Sequence, residues 1–153
     1  MNYDIEVKKL AKHDIAAVRF RGSIAELPQH MGAAFGDAMG YLVRNGIQPE
    51  GPAVAMYTPV TNGVFDVAAG FLVAAPIEGD GHVVPAALPA GEVATTVHVG
   101  SYESLTDAYE AVQAWIQREG REAAETMWEE YLSGPEAPPE ETRTIVYWPL
   151  KPR

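Results

Sequence analysis

The sequence Val99-Gly100-Ser101-Tyr102 repeats the pattern of Arg21-Gly22-Ser23-Ile24 seventy-eight positions earlier. Each closes a run of alternating, β-prone residues, at 15–20 in the first case and 93–98 in the second. Such runs are typical of strands. Two strands that end in the same Gly-Ser pattern predict an internal repeat, which decides how the rest of the chain is interpreted.

A segment with helical spacing follows each Gly-Ser pair. Apolar residues recur at steps of three and four, which places each set on one face of a helix. These residues are Leu27, Met31, Ala34, Ala38 and Leu42 in the first segment and Leu105, Tyr109, Val112 and Ile116 in the second. Asn45-Gly46 and Glu119-Gly120 end the segments, with glycine where a left-handed terminating residue is usual.

Two short strands follow each helix, at 53–57 and 65–73 in the first half and at 127–131 and 144–148 in the second. The chain therefore reads as one domain of two β-α-β-β modules, at about 1–75 and 92–153. A linker rich in Ala, Gly and Pro joins them at about 76–91. One such module cannot cover both its sheet and its helix. We expect an α+β fold in which the modules share an antiparallel sheet, with two helices packed against it and a cleft between the modules.

The composition predicts a soluble globular protein. The 153 residues are 47% hydrophobic and 21% charged, and cysteine is absent, which excludes disulfides and thiolate chemistry. The longest apolar stretch, at 64–76, is too short to cross a bilayer. The first residues lack the basic and apolar regions of a secretion signal. We therefore expect a cytoplasmic protein with no membrane partner.

The charge is strongly negative, at -10, and it is unevenly distributed. Residues 1–91 hold nine acidic and six basic residues, whereas residues 92–153 hold twelve acidic and five basic ones. A chain of this kind repels phosphate backbones, so we expect no direct contact with nucleic acid. The acidic second half favours cationic ligands or a basic protein partner.

The usual catalytic and metal-binding motifs are absent from the sequence. The four histidines, at 13, 30, 82 and 98, have no partner at metal-ligand spacing, and no HExxH motif or EF-hand loop occurs. The nucleophile elbow Gly-x-Ser-x-Gly is also missing. We predict no metal site and no cofactor.

The predicted strand Met127–Tyr131 carries two adjacent carboxylates, which is unusual for the interior of a domain. Alternation gives Glu129 and Glu130 to opposite faces, and each then lies among large apolar or aromatic groups. Either the strand lies at an edge with both acids in water, or one acid lies at the bottom of an aromatic cleft. In the second case, an aromatic cation would supply the missing countercharge and stack on the rings.

The repeat indicates which aromatic residues could surround such an acid. Tyr57 and Tyr131 occupy matching positions, whereas Ala55 stands where Glu129 does, so the acid occurs once per protein. Phe65 is a further pocket candidate in the first module. Because alternation turns Tyr147 and Trp148 to opposite faces, only one can line the cleft, and we favour Trp148.

Three stretches resemble the GyrI-like family, the effector-binding domain of AraC- and MerR-type multidrug regulators. They are Val97-His-Val-Gly-Ser-Tyr-Glu-Ser-Leu105, Trp128-Glu-Glu-Tyr-Leu-Ser-Gly-Pro135 and Thr144-Ile-Val-Tyr-Trp-Pro-Leu150. The resemblance covers about residues 7–150. It implies that Glu129 is the buried acid that meets cationic ligands and that Tyr131 is a pocket aromatic. Glu130 stands where the family usually has an apolar residue, and the motif match favours Glu129.

The resemblance implies three functions for a stand-alone form of this domain. The first is binding of a hydrophobic, cationic small molecule for drug sensing or sequestration; because both modules use up the chain, no helix-turn-helix is expected, and regulation would need a separate polypeptide. The second is hydrolysis of cyclopropane-bearing aromatic compounds. Glu129 would then be the base, Tyr131 or Tyr102 the hydrogen-bond donor, and Trp128 or Trp148 the stacking surface. The third is inhibition of DNA gyrase through the acidic second half.

Overall fold

A computed structural model describes residues 3–23, 25–101, 104–133 and 137–152 of the chain. These residues include eight strands and two α-helices. The strand pairs β1-β6, β6-β8 and β7-β8, and likewise β2-β4, β2-β5 and β3-β4, are antiparallel. In chain order they are β1 (Glu6–Leu10), β2 (His13–Ser23), α1 (Leu27–Arg44), β3 (Ala53–Pro59), β4 (Val64–Leu72), β5 (Val83–Leu88), β6 (Gly91–Val99), α2 (Leu105–Arg118), β7 (Met127–Tyr131) and β8 (Arg143–Pro149). The predicted α+β class is confirmed.

The chain divides into two compact units that share one strand order. The central unit, Lys12–Pro89, contains α1 and the strands β3-β4-β2-β5 in that order. The terminal unit, Met1–Ala11 with Ala90–Arg153, contains α2 and the strands β7-β8-β6-β1. The elements β2-α1-β3-β4 and β6-α2-β7-β8 therefore occur in the same order in the two units.

The fourth strand of each unit differs from the predicted module bounds. β1 pairs with β6, so the N-terminal strand belongs to the terminal unit rather than to the first module. The predicted linker contains β5, which pairs with β2. Pro85 and the alanines made this segment resemble a connection. A proline is nevertheless compatible with β5, because within its unit β5 pairs on one side only.

Both helices form for the reasons that their spacing predicts. The buried residues of α2 are Leu105, Ala108, Val112 and Ile116, which lie on one face. Gly120 has φ of +68°, and the following N–H of Arg121 donates to the carbonyl of Ile116 at 3.0 Å. The same left-handed glycine ends α1, where Gly46 has φ of +66°. Glycine adopts this conformation without strain, so it fixes where each helix ends.

Candidate functional site

Glu129 lies in the middle of β7, opposite Val146 of β8, and only 1% of it is exposed. Strand alternation puts Glu129 and Tyr131 on one face of the sheet and Trp128 and Glu130 on the other. The first of these is the face that α2 covers, because Tyr109 of α2 reaches Glu129. The carboxylate is therefore enclosed between a strand and a helix of the same unit.

Two tyrosine hydroxyls hold the Glu129 carboxylate. Tyr131 donates to Oε1 at 2.7 Å, and Tyr109 donates to Oε2. The ring of Tyr109 also meets Trp148 edge-on, with centroids 6.0 Å apart and planes at 84°. An ionised carboxylate accepts hydrogen bonds at both oxygens, so this geometry fits the charged form. Neutral hydroxyl donors stabilise such a charge without cancelling it.

A row of polar side chains crosses the same face next to Glu129. Thr144 of β8 lies opposite Tyr131 of β7 on one side and opposite His98 of β6 on the other. Both Thr144 and His98 are fully buried. We call Tyr131, Thr144 and His98 the polar row. It extends the polar surface beneath α2 beyond the carboxylate itself.

His98 connects the polar row to the start of α2. Its Nε2 lies 3.1 Å from both the carbonyl of Ser101 and the hydroxyl of Ser104, and its Nδ1 lies 2.9 Å from the hydroxyl of Tyr3. A carbonyl oxygen can only accept, so Nε2 carries hydrogen, and in the neutral ring Nδ1 accepts from Tyr3. The buried imidazole thus bonds to Ser101 just after β6 and to Ser104 at the start of α2, and its role in the structure is positional.

The opposite face of β7 and β8 holds a second aromatic pair. Trp128 stacks on Tyr147, with centroids 5.4 Å apart and planes at 18°. Burial, together with the charge and hydrogen bond of Glu130, raises the pKa of Tyr147 to about 12. Trp128 and Glu130 therefore belong to this pair and not to the Glu129 cluster. Of the two alternatives on β8, Trp148 shares the face of Glu129.

The remaining predicted site residues lie elsewhere. Tyr57 and Phe65 belong to the central unit, where Tyr57 lies opposite Val67 and Phe65 lies opposite Gly22. Tyr102 lies outside the described residues, as does Pro135 of the quoted motif. The part of Tyr57 and Phe65 in a ligand site, and the cleft between the modules, stay predictions.

Tyr109 is the residue that sequence analysis missed. It was placed only on the apolar face of a helix, without a partner for its hydroxyl. A buried tyrosine usually finds a hydrogen-bond partner, and that rule is the signal that could have linked Tyr109 to one of the two acids of β7. The alternation pattern could likewise have removed Trp128 from the Glu129 face.

An open groove of about 730 Å³ lies in the central unit, away from these residues. It runs between the end of α1 and residues 74–78, and its walls include Tyr41, Ile77, Glu50 and Glu78. None of the predicted site residues lines it. The groove is therefore a separate surface feature and not the cleft that the sequence predicts.

Across residues 3–23, 25–101, 104–133 and 137–152, no group of three or more His, Cys, Asp or Glu side chains could hold a metal ion. Neither helix in that part of the chain is both long enough and apolar enough to cross a bilayer.

Comparisons with known proteins place this arrangement in a family. No curated protein matches the sequence. The C-terminal domain of EcmrR has a similar structure, with a TM-score of 0.82 and 19% identity, and the match covers 99% of each chain. SAV2435, whose structure contains bound tetraphenylphosphonium, is similar with a TM-score of 0.66 and 14% identity over 99% of this chain and 94% of that one.

A structure described as a hydrolase from Listeria innocua is also similar. Its TM-score is 0.64 and its identity is 15%, and the match covers 96% of this chain and 91% of that one. At such identities the likeness concerns the fold alone. The sequence itself matches the family described as GyrI-like small molecule binding domain over residues 3–151. The chain therefore belongs to the GyrI-like family of small-molecule-binding domains.

Proposed function

We propose that this protein binds a hydrophobic aromatic cation at Glu129. One observation carries the proposal: a carboxylate that is 1% exposed accepts hydrogen bonds from two tyrosine hydroxyls and lies beneath a tyrosine that packs on Trp148. The aromatic surface would bind the flat rings of the ligand, and the carboxylate would bind its charge. The cellular role would be sensing or sequestration of such compounds.

The physical reason is the cost of burying a charge. Removing a carboxylate from water costs several kcal/mol, and hydrogen bonds from neutral groups restore only part of this free energy. A lipophilic cation brings the opposite charge and little hydration of its own. Contacts between the cation and aromatic rings add about 0.5–2 kcal/mol each when they are shielded from water. Burial therefore makes Glu129 selective for cations that are themselves apolar.

Binding requires the site to open, because Glu129 is enclosed in this structure. Of the two hydroxyl donors, Tyr131 lies on β7 beside Glu129, whereas Tyr109 lies on the helix. Tyr109 is therefore the side chain that can move away from the carboxylate. We infer that the ligand displaces the Tyr109 side chain and takes its place beside Oε2 and Trp148. Tyr131 then keeps its hydrogen bond to Oε1 and holds the carboxylate in position.

The solved relatives supply a probe and a context. Tetraphenylphosphonium, found in the SAV2435 structure, is an aromatic cation of the proposed class. The fold of the EcmrR C-terminal domain suggests a link to regulators, which here would involve a separate protein partner. The net charge of -10 supports a cationic ligand and argues against a nucleic-acid partner. Gyrase is retained only as an alternative protein partner.

The test is a titration of tetraphenylphosphonium by calorimetry against wild type, Glu129→Gln and Glu130→Gln. The two variants lose the same charge one residue apart, on opposite faces of β7, so Glu130→Gln is the matched control. We expect Glu129→Gln to weaken binding at least about 30-fold, as for loss of one partner of a buried charge pair. Glu130→Gln should change it less than about 3-fold. Equal affinity of the two variants would contradict the proposal.

Hydrolysis of a cyclopropane-bearing aromatic compound is the second candidate. The similar fold of the Listeria innocua hydrolase favours it, as does the carboxylate-tyrosine arrangement. Glu129 would take a proton from an attacking water, and Tyr131 would donate a hydrogen bond to a carbonyl that becomes negative. Mass spectrometry of an electrophilic cyclopropane substrate distinguishes the two functions. A product heavier by one water that forms with wild type and not with Glu129→Gln supports the enzyme.

A further inference from the structure

Thr144 carries a buried hydroxyl without a hydrogen-bond partner. Its Oγ1 and Arg121 Nε are the buried side-chain atoms in the described part of the chain for which no partner is present. Arg121 is otherwise paired, because its Nη2 donates to Glu92 at 2.9 Å. Thr144 has no such second group. A hydroxyl that is removed from water and left unbonded destabilises the folded protein, so its presence needs a reason.

The central unit shows that the fold does not need this hydroxyl. The registers of the two units align Thr144 with Val67, since Thr144 lies between Tyr131 and His98 and Val67 lies between Tyr57 and Phe20. Val67 is also buried. Valine and threonine have nearly the same shape and differ in one hydroxyl. The same sheet position is therefore filled by an apolar residue in the unit that has Ala55 at the position of Glu129.

The position of Thr144 links its hydroxyl to the proposed ligand site. It shares the α2 face with Glu129 and lies directly opposite Tyr131, which holds the carboxylate. Residues that are opposite on neighbouring strands have Cβ atoms about 5 Å apart, and diagonal neighbours such as Thr144 and Glu129 are about 7–8 Å apart. A drug-sized ligand that reaches Glu129 thus also reaches Thr144.

We propose that Thr144 Oγ1 is a hydrogen-bond partner of the bound ligand, so that the site selects aromatic cations with a hydroxyl, amide or carbonyl group about 5–8 Å from the charge. This inference rests on the proposed function. It adds a second point of recognition. Glu129 binds the charge of the ligand, and Thr144 forms a hydrogen bond with a polar group on its aromatic part. The ligand satisfies a hydroxyl that no described residue satisfies.

The test compares two cations that differ by one hydroxyl, tetraphenylphosphonium and (4-hydroxyphenyl)triphenylphosphonium. Calorimetry is performed on wild type, Thr144→Val and Thr144→Ser. We expect wild type to prefer the hydroxylated cation by about three- to ten-fold, the size of one hydrogen bond. Thr144→Val should lose this preference, so that it binds the two cations with the same affinity. Thr144→Ser, which keeps the hydroxyl, should retain the preference.

Thermal unfolding separates this role from a structural one. Thr144→Val should melt at the wild-type temperature or above it, because it copies Val67 and removes an unbonded polar group. A lower melting temperature would show that Thr144 has a partner in the free protein and would overturn the inference. So would an unchanged preference in Thr144→Val, or no preference in wild type. In those cases, Glu129-dependent binding of tetraphenylphosphonium would still support the proposed function, whereas no binding of either cation would overturn both.

Discussion

The central and terminal units build the same strand order but put different chemistry beneath their helices. Two rows of three residues, each crossing three neighbouring strands, correspond between them. In the central unit the rows are Tyr57, Val67, Phe20 and Ala55, Ala69, Val18. In the terminal unit they are Tyr131, Thr144, His98 and Glu129, Val146, Thr96. One unit is a conventional apolar core, and the other holds four polar residues in place of apolar ones.

The difference shows which residues serve the fold and which do not. Because the central unit forms this layer with Ala55, Val67 and Phe20, the backbone arrangement does not require Glu129, Thr144 and His98. Each buried polar group lowers stability unless hydrogen bonds satisfy it. The terminal unit satisfies Glu129 and His98 with tyrosine and serine partners, whereas no described residue satisfies the hydroxyl of Thr144. Exchanging residues between the units therefore tests which of these residues the fold requires.

The largest effect is expected for Ala55→Glu, which copies the acid into the central unit. Ala55 is fully buried, so the variant places a carboxylate in an apolar layer that has not evolved partners for it. We expect a loss of about 3–5 kcal/mol in the free energy of unfolding, measured by urea denaturation. Ala55→Met is the control for added volume. If Ala55→Glu were no less stable than Ala55→Met, the two units would not differ in their tolerance of charge.

A double-mutant cycle measures the hydroxyl contacts of Glu129. Tyr109→Phe removes one donor to the buried carboxylate and should lower the free energy of unfolding by about 1–3 kcal/mol. In a Glu129→Gln background the same change should cost less, because the hydrogen bond no longer involves a charge. Urea denaturation of the four proteins gives the coupling energy. Additive effects would mean that the Tyr109 hydroxyl contributes to stability independently of the Glu129 charge.

Val67→Thr is the reverse of Thr144→Val at the corresponding position of the central unit. It places a hydroxyl at a buried position of the central unit, between Tyr57 and Phe20. We expect a destabilisation of about 1–2 kcal/mol, visible as a lower melting temperature. Because Thr144→Val should not be destabilising, the two opposite exchanges are predicted to differ in sign or size. Equal losses for both would contradict the correspondence between the units.

The smallest effect concerns the pH dependence of stability. It involves the face of β7 and β8 that carries Trp128 and Tyr147. Tyr147 has a pKa of about 12, above the usual 10, because of burial and the charge of Glu130, whereas Gly70 stands at the corresponding position in the central unit. The folded state then holds its proton more tightly, so the stabilisation is complete below pH 10 and is lost as pH rises to 12. Burial and the charge of Asp107 also raise the pKa of Tyr3, so it changes stability in the same direction. Tyr147→Phe should flatten the fall in stability over this range, as followed by denaturation at pH 9 to 12. An unchanged slope would rule out this origin.

Local features of the fold could be predicted from the sequence, and distant pairings could not. The bounds of β7 agree with the prediction, and both helices end at the glycines that the pattern indicates. The pairing of β1 with β6 and of β5 with β2 was not predicted, because alternation identifies a strand but not its partner. Pro85 also made β5 resemble a loop. Edge strands have few sequence signals of their own, which explains this error.

The site was predictable to the same limited degree. Glu129 and Tyr131 share a face because of period-two alternation within β7, whereas the register of β8 against β7 puts Trp148 on that face. Tyr109 was missed because its contact with Glu129 spans 20 residues between a helix and a strand, a distance that only the packing of α2 sets. Thr144 was unremarkable in the sequence. Its significance depends on a missing hydrogen bond, which only coordinates reveal.

A crystal structure of the protein soaked with tetraphenylphosphonium shows directly whether the cation binds at Glu129. We expect the cation on the α2 face of the terminal unit, with its phosphorus within about 6 Å of a ring or carboxylate of the site and the Tyr109 side chain displaced from Glu129. A cation bound instead in the groove beside Tyr41 and Ile77, with the two tyrosine hydroxyls still on Glu129, would contradict it.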